Sequence, residues 1–298
     1  LSAGCIAAGG TLGILIPPSI MLVVMGPVMG VPVTSLFAAA FLPGFLLAGL
    51  YTAYTLIRCQ IKPSLGPALP QHLRPTSTAW VLKEIVLGII PVTSLIAATL
   101  GSILAGLATA TEGAAAGAAG AMILTFSYRR LTWKGVKKAM LRTLGISSMI
   151  LLLVASSNFF GSVFSRLGSA KWITELLLGA NLDPNVMIFA IILVIFILGW
   201  PLEWVPIVLI FIPILLPLIR DMGYDLIWFS ILVAVTLQTA WLSPPVALSA
   251  YFLKGVVPEW DLKDIYIGMI QFMGLQCVGV VLLVFFPPIV TWLPAVLR

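Results

Sequence analysis

The sequence predicts an all-α, polytopic membrane protein, and its composition and its apolar runs are the observations that predict it. Hydrophobic residues make up 61% of the 298 residues and charged residues only 9%, whereas soluble domains carry about 25% charged residues. Apolar stretches long enough to cross a bilayer follow one another along the chain. Two of these stretches are interrupted by paired prolines, which predicts broken helices inside the membrane.

One interruption lies in the apolar run 226–253, at Pro244 and Pro245. A proline nitrogen cannot donate to the carbonyl four residues earlier, so the carbonyls of Ala240 and Trp241 lose their helical partners. Such carbonyls are costly in hydrocarbon unless another group satisfies them. Polar side chains gather at the same depth, namely Thr236, Gln238, Thr239 and Ser243. Bare carbonyls and hydroxyls in a broken helix are how transporters hold a cation at mid-membrane.

The same device interrupts the first apolar run, 1–24, at Pro17 and Pro18. Here the freed carbonyls are those of Gly13 and Ile14. Matching breaks in two parts of a membrane chain point to the binding site of a transporter.

The two breaks predict an inverted repeat. Pro17 aligns with Pro244, 227 residues later, and Gly30-Val31-Pro32 then corresponds to Gly255-Val256-Val257-Pro258. If the second repeat begins near Glu84, the first would begin ~140 residues before Leu1, because both copies of such a repeat have similar lengths. We therefore expect the chain to be truncated at its N-terminus.

This interpretation divides the chain into three parts. Residues 1–57 are predicted to end the first repeat, with the broken helix 1–24 and a span at 33–57. Residues 58–83 are predicted to be a cytoplasmic linker, and residues 84–298 the second repeat. Within the second repeat we expect spans 84–127 and 144–164, a hairpin at 186–219, the broken helix 226–253 and a last span at 265–293.

The hairpin is predicted from the interruption at Gly199–Pro206, which leaves two short apolar arms. Arms of ~14 residues are short for a full crossing and suit a re-entrant hairpin. Pro201 belongs at its tip, beside Glu203. A carboxylate at mid-membrane is costly and usually functional, so Glu203 would help to bind a cation or gate the site. The alternative is a tip exposed to a water-filled vestibule.

The distribution of basic residues predicts the orientation. Loops 58–83, 128–142 and 254–264 hold 12 of the 16 Lys and Arg residues. The positive-inside rule places these loops in the cytoplasm, so the two breaks would enter from opposite sides. Because the basic residues lie in loops, the net charge of +6 does not indicate a nucleic-acid partner.

Residues 84–127 are too many for one crossing, so we expect two helices with a turn near Thr109–Glu112. Small residues such as Gly113 and Gly117 predict a face for close helix packing. Glu112 is expected to cap the helix that follows, with an ion or gating role as the alternative.

The inventory of an enzyme is missing from the sequence, which has no HExxH metal motif, no Walker A loop and no paired intramembrane aspartates. Transport would therefore be secondary, driven by an ion gradient or by partner subunits. The candidate cation ligands are hydroxyls, with bonds to their own helix backbone as the alternative: Thr11, Thr236, Thr239 and Ser243.

Four motifs resemble the large membrane subunit of the tripartite ATP-independent periplasmic (TRAP) transporters: Gly9–Ser19, Ala108–Ala115, Pro206–Pro217 and Leu237–Ala247. The resemblance implies sodium-coupled uptake of organic acids across a bacterial inner membrane by an elevator mechanism, with Na⁺ as coupling ion and no cofactor. It implies two protein partners, a small four-helix membrane subunit and a periplasmic substrate-binding protein.

The resemblance also implies the site residues. Sodium would bind at Gly10, Thr11 and Gly13 in one half, and at Gly199, Trp200, Thr236, Thr239 and Ser243 in the other. Substrate contact or gating would fall to Pro17, Pro18, Ser19, Pro201, Glu203, Gln238, Pro244 and Pro245. The first hairpin of the family does not precede this sequence, which would leave one sodium site incomplete. Trp200 stands where relatives often have a smaller or different residue, so the resemblance does not identify which organic acid is carried.

Two other interpretations remain at this point. The chain could be a stand-alone sodium–carboxylate symporter of related fold, or a non-transporting membrane scaffold. For the elevator, we expect the hairpin and both broken helices to move as one body against a frame formed by spans 33–57 and 265–293, which lack mid-membrane breaks.

Overall fold

A computed structural model describes residues 1–67, 70, 74, 77–169, 172, 175–176, 179, 183–244 and 247–297. Within these residues all regular structure is helical. The α-helices are α1 Ser2–Leu15, α2 Ile20–Met29, α3 Val33–Ile61, α4 Thr78–Gly88, α5 Ile90–Leu104, α6 Ala110–Ser127, α7 Trp133–Arg166, α8 Pro184–Leu198, α9 Trp204–Pro206, α10 Ile212–Asp221, α11 Leu226–Gln238, α12 Leu248–Val256, α13 Leu262–Phe285 and α14 Pro288–Val296. Short 3₁₀ turns lie at Pro63–Leu65 and Thr239–Trp241, and a π-helical segment at Ile207–Phe211.

Among the described residues, five helices are long and apolar enough to cross a membrane: Val33–Ile61, Thr78–Leu104, Trp133–Phe160, Trp204–Asp221 and Leu262–Phe285. The bent pair α1 and α2, with an angle of 44° between its helices, gives a sixth if it counts as one span. The predicted all-α, polytopic membrane architecture is confirmed.

The chain forms two compact units, the first made of Leu1–Ile61 with Leu151–Arg298 and the second of Lys62–Ile150. In the first unit, α1 packs so closely on α13 that a Cβ added to Gly4 would collide with the backbone of Gly268. Fully buried Phe37, Phe229 and Phe272 come from α3, α11 and α13 and fill the space between these helices. This core surrounds both interruptions.

The two arms on either side of Gly199–Glu203 double back on each other, and the returning arm Trp204–Asp221 is long enough to cross a membrane, so the re-entrant course stays a prediction. Tyr224, just beyond α10, donates its hydroxyl to the carbonyl of Pro184, the first residue of α8, at 2.6 Å. The two ends of the hairpin therefore lie together, with the tip at 199–203 between the arms. The returning arm contains a π-helical stretch ahead of Pro213, where the carbonyl of Leu209 lacks a helical donor. The hydroxyl of Ser157 in α7 donates to that carbonyl instead.

The second unit confirms the small-residue face. A Cβ added to Gly113 would lie 2.5 Å from the side chain of Ile103, and one added to Gly120 would collide with Leu95. Residue numbers rise along α6 as they fall along α5, so the two helices run antiparallel. The turn between them ends at Thr109, whose hydroxyl forms a capping box with Glu112, as expected for a capping carboxylate.

Several helix limits differ from the predictions. Helix α3 extends to Ile61 and α4 begins at Thr78, which shortens the predicted linker 58–83. Helix α7 begins at Trp133, so most of the predicted basic loop 128–142 is helical, because Lys and Arg are good helix formers. The last span ends at Phe285 rather than 293, since Pro287 and Pro288 cannot continue the helix.

Candidate functional site

The first break separates α1, which ends at Leu15, from α2, which begins at Ile20. The hydroxyl of Ser19 donates to the carbonyl of Ile14, which Pro18 deprives of its helical donor. The same oxygen accepts from the backbone N–H of Leu22 at 3.4 Å and so caps α2. Ser19 therefore satisfies the backbone on both sides of the break.

The second break follows α11 and begins with the 3₁₀ turn Thr239–Trp241. The hydroxyl of Ser243 lies 3.5 Å from the carbonyl of Ala240, which Pro244 leaves without a helical donor. That distance is at the limit of a hydrogen bond, so Ser243 satisfies this carbonyl only weakly. The predicted site residue Pro245 lies outside the described residues.

The threonine hydroxyls at the second break bond to their own helix, as the alternative interpretation expected. Thr236 donates to the carbonyl of Leu232 at 2.8 Å, and Thr239 donates to the carbonyl of Thr236 at 2.6 Å. A hydroxyl that donates its proton keeps two lone pairs. Both side chains are buried, and each oxygen can still accept a cation.

The two breaks contact each other through side chains. The hydroxyl of Thr11 in α1 lies 3.3 Å from Oε1 of Gln238 in α11 and 2.8 Å from the carbonyl of Ala8. Gln276 in α13 donates its Nε2 to the same hydroxyl at 3.1 Å. Thr11 and Gln238 were predicted as site residues in different halves, and the structure brings them together.

Sequence reasoning missed Gln276 and a second buried residue, Tyr51 in α3, whose hydroxyl faces Gln276 and Thr11. Three buried polar atoms of this cluster have no hydrogen-bond partner among the described residues: Tyr51 Oη, Gln238 Nε2 and Gln276 Oε1. The available signal was the presence of polar side chains inside long apolar spans, since buried polar groups in membrane helices are costly.

The hairpin tip contacts the second break at Gly199. A Cβ added to Gly199 would lie 3.2 Å from Cβ of Ala240, so the backbone of the tip approaches the 3₁₀ turn closely. Trp200 and Glu203 are exposed instead, and the ring of Trp200 packs edge-on against Phe196 with centroids 5.8 Å apart. The exposure of Glu203 favours the vestibule interpretation over a buried ligand.

The other predicted residues divide by exposure. Pro17 is buried beside the first break, and Pro244 is half-buried at the second. Four lie on exposed surface: Gly10, Gly13, Pro18 and Pro201. Cβ atoms added to Gly10 or Gly13 would meet nothing within 4 Å among the described residues.

The expected frame helices pack directly on the breaks. A Cβ added to Gly44 of α3 would lie 2.6 Å from the side chain of Ile16 in the first break, and Gln276 of α13 bonds to Thr11. These contacts do not test whether spans 33–57 and 265–293 form the frame, and that role stays a prediction.

The family model for the "Tripartite ATP-independent periplasmic transporter, DctM component" matches residues 1–289, nearly the whole chain. The chain belongs to this TRAP transporter family. It is a transport subunit of a TRAP transporter and a multi-pass protein of a bacterial inner membrane. The resemblance found in the four sequence motifs is confirmed.

Relatives of this TRAP subunit have large permease names. The "C4-dicarboxylate TRAP transporter large permease protein DctM" of Rhodobacter capsulatus is 29% identical, over 99% of this chain and 69% of that protein. The "Sialic acid TRAP transporter permease protein SiaT" of Haemophilus influenzae is 25% identical, over 100% of this chain and 47% of that protein. The "Isethionate TRAP transporter permease protein DctMQ" of Oleidesulfovibrio alaskensis is 28% identical, over 86% of this chain and 39% of that protein. The chain thus spans about two thirds of the first relative and less than half of the others.

Proposed function

We propose that this TRAP subunit imports an organic acid together with sodium, and that the two breaks hold the coupling ions. The observation that carries the proposal is the contact between the breaks through Thr11 and Gln238. The two positions are 227 residues apart, the same offset that aligns the two proline pairs. This correspondence supports the inverted repeat, which places ion sites at the repeat interface near mid-membrane.

Sodium suits the groups at the second break. Carbonyl and hydroxyl oxygens are hard, neutral ligands, and the last carbonyls of a helix carry partial negative charge. The carbonyl of Ala240, which Ser243 reaches only at 3.5 Å, and the lone pairs of Thr236 and Thr239 would supply such ligands. The tip at Gly199 lies close enough to close the site from the opposite side.

The substrate class follows from what the relatives' names share. A C4-dicarboxylate, sialic acid and isethionate are all small organic anions. Helix α2 begins at the first break with its N-terminus, whose partial positive charge favours an anion. We therefore propose an organic acid as the cargo, with carboxylates as the first class to test.

The proposal includes an elevator movement with a revised moving body. The freed carbonyls need partners throughout the cycle because the bilayer offers none. The hairpin and the breaks would therefore travel together, and the contacts of Gly44 and Gln276 add α3 and α13 to the moving body.

Two protein partners complete the proposed transporter, a small four-helix membrane subunit and a periplasmic substrate-binding protein, within a lipid bilayer. The name DctMQ of one relative adds a second component letter to DctM, which supports a small membrane subunit as a partner.

Uptake by proteoliposomes that contain the complete transporter tests the proposal. Labelled C4-dicarboxylate, sialic acid and isethionate would be supplied in turn, with an inward gradient of sodium or of choline. We expect uptake of at least one anion only with sodium and only with the binding protein. Sodium-driven uptake without that protein would favour the stand-alone symporter, and uptake of none by a correctly assembled complex would favour a scaffold.

A further inference from the structure

A cluster of four buried polar side chains, which we name the polar joint, lies between the two breaks. Its members are Thr11 from α1, Tyr51 from α3, Gln238 from α11 and Gln276 from α13. Each is at most 4% exposed. Because polar groups are costly in an apolar interior, such a cluster fixes a single arrangement only when its bonds are made.

The hydrogen bonds of the polar joint centre on the hydroxyl of Thr11. That hydroxyl has one proton but faces two acceptor positions, the carbonyl of Ala8 at 2.8 Å and Oε1 of Gln238 at 3.3 Å. Turning the Gln238 amide, whose two ends are interchangeable in shape, makes its Nε2 a donor to Thr11. Thr11 then donates to Ala8 and accepts from both amides, which uses its full capacity of one proton and two lone pairs.

A saturated hydroxyl is not a cation ligand. In this arrangement Thr11 links the two breaks and does not bind sodium. Nearby backbone carbonyls would bind the ion instead. Thr11 lies in the last two turns of α1, and Gln238 is the last residue of α11 before the 3₁₀ turn. A displacement at either break is therefore carried directly to the other.

We propose that Gln276 is a positioning residue that holds Thr11 against Gln238 and so makes cation binding at the two breaks cooperative. This inference rests on the sodium coupling proposed above. Among the described residues Gln276 makes no hydrogen bond to the backbone of either break, and it acts through Thr11. One interhelical hydrogen bond of ordinary strength in a membrane corresponds to a change of roughly three- to tenfold in an equilibrium constant.

The experiment measures the thermal unfolding midpoint of the purified complete transporter against sodium chloride concentration, with choline chloride keeping the ionic strength constant. No substrate is needed. In the unmodified protein we expect a Hill coefficient above one. Gln276→Leu should bring the coefficient to one and raise the half-saturating sodium concentration roughly three- to tenfold.

Gln271→Leu is the matched control, because it removes an amide from the same helix. Gln271 accepts from the hydroxyl of Tyr54 at 2.7 Å and lies outside the polar joint. It should leave the Hill coefficient unchanged. Thr11→Ser, which keeps the hydroxyl, should retain cooperativity, and Thr11→Val should lose it. If Gln276→Leu does not fold, the comparison of Thr11→Ser with Thr11→Val tests the positioning role.

The outcomes separate the two proposals. An unchanged coefficient in Gln276→Leu or Thr11→Val, or a coefficient of one in the unmodified protein, would overturn the positioning role while leaving sodium coupling intact. If sodium does not stabilise the unmodified protein more than choline does, the proposed sodium coupling itself fails.

Discussion

The hydroxyl of Thr11 and the amide of Gln238 lie 3.3 Å apart, although 227 residues separate them in the sequence. The same offset aligns Pro17 with Pro244, so equivalent positions of the two breaks are in contact. This contact supports the proposal that both ion sites lie in one core.

Ser19 should contribute to stability through the first break. Ser19→Ala removes the donor to the carbonyl of Ile14 and the cap of α2, so we expect a loss of about 1–2 kcal/mol in the free energy of unfolding. Ser19→Thr keeps the hydroxyl and should retain most of the stability. Unfolding in mixed detergent micelles measures both, and equal losses would contradict the capping role.

Ser157 should hold the returning arm of the hairpin. Ser157→Ala leaves the carbonyl of Leu209 without a donor opposite Pro213, which costs about 1–3 kcal/mol locally. Hydrogen exchange across 204–221 should therefore become faster. The neighbouring Ser156 is exposed, and Ser156→Ala is the matched control. Unchanged exchange in Ser157→Ala would show that the contact does not support the arm.

The packing of α5 on α6 should depend on Gly120. Gly120→Val places a branched side chain against Leu95, and we expect a loss of about 1–3 kcal/mol in the free energy of unfolding from overpacking. Gly145 in α7 has nothing within 4 Å of an added Cβ among the described residues, so Gly145→Ala should be neutral. A neutral result for Gly120→Val would contradict the close contact.

The hairpin tip should stay with the second break throughout transport. Cysteines at Gly199 and Ala240 would place their Cβ atoms 3.2 Å apart, close to the ~3.5–4.5 Å of disulfides. With the three native cysteines replaced, we expect the disulfide to form and uptake to persist. If oxidation stops uptake and reduction restores it, the tip and the break separate during the cycle.

The breaks and the hairpin could be predicted from the sequence because they follow from a covalent property. Proline lacks an N–H wherever it stands, so the paired prolines at Pro17-Pro18 and Pro244-Pro245 predict a break, although α3 continues through the single Pro43. The same rule applied to Pro287-Pro288 would have ended the last span at Phe285.

The partners of the breaks could not be predicted in the same way. Gln276, Tyr51 and Ser157 each lie in a long apolar span, and nothing local says which helix each will face. Their contacts depend on how α3, α7 and α13 pack, and that packing is decided by side chains distant in sequence. For the same reason the sequence did not show that α3 and α13 contact the breaks.

The sodium dependence of uptake by the complete transporter tests the central claim most directly. Thr236→Val and Thr239→Val each remove one buried hydroxyl oxygen from the end of the helix that leads into the second break. Each should raise the sodium concentration for half-maximal uptake roughly three- to tenfold, the effect of one lost polar contact. Ser230→Ala is the control, because Ser230 donates to the carbonyl of Leu226 in the same helix and should leave sodium dependence unchanged. Two results would contradict the account. One is uptake by the unmodified protein that does not depend on sodium. The other is an equal change in the sodium concentration for half-maximal uptake in Thr236→Val, Thr239→Val and Ser230→Ala.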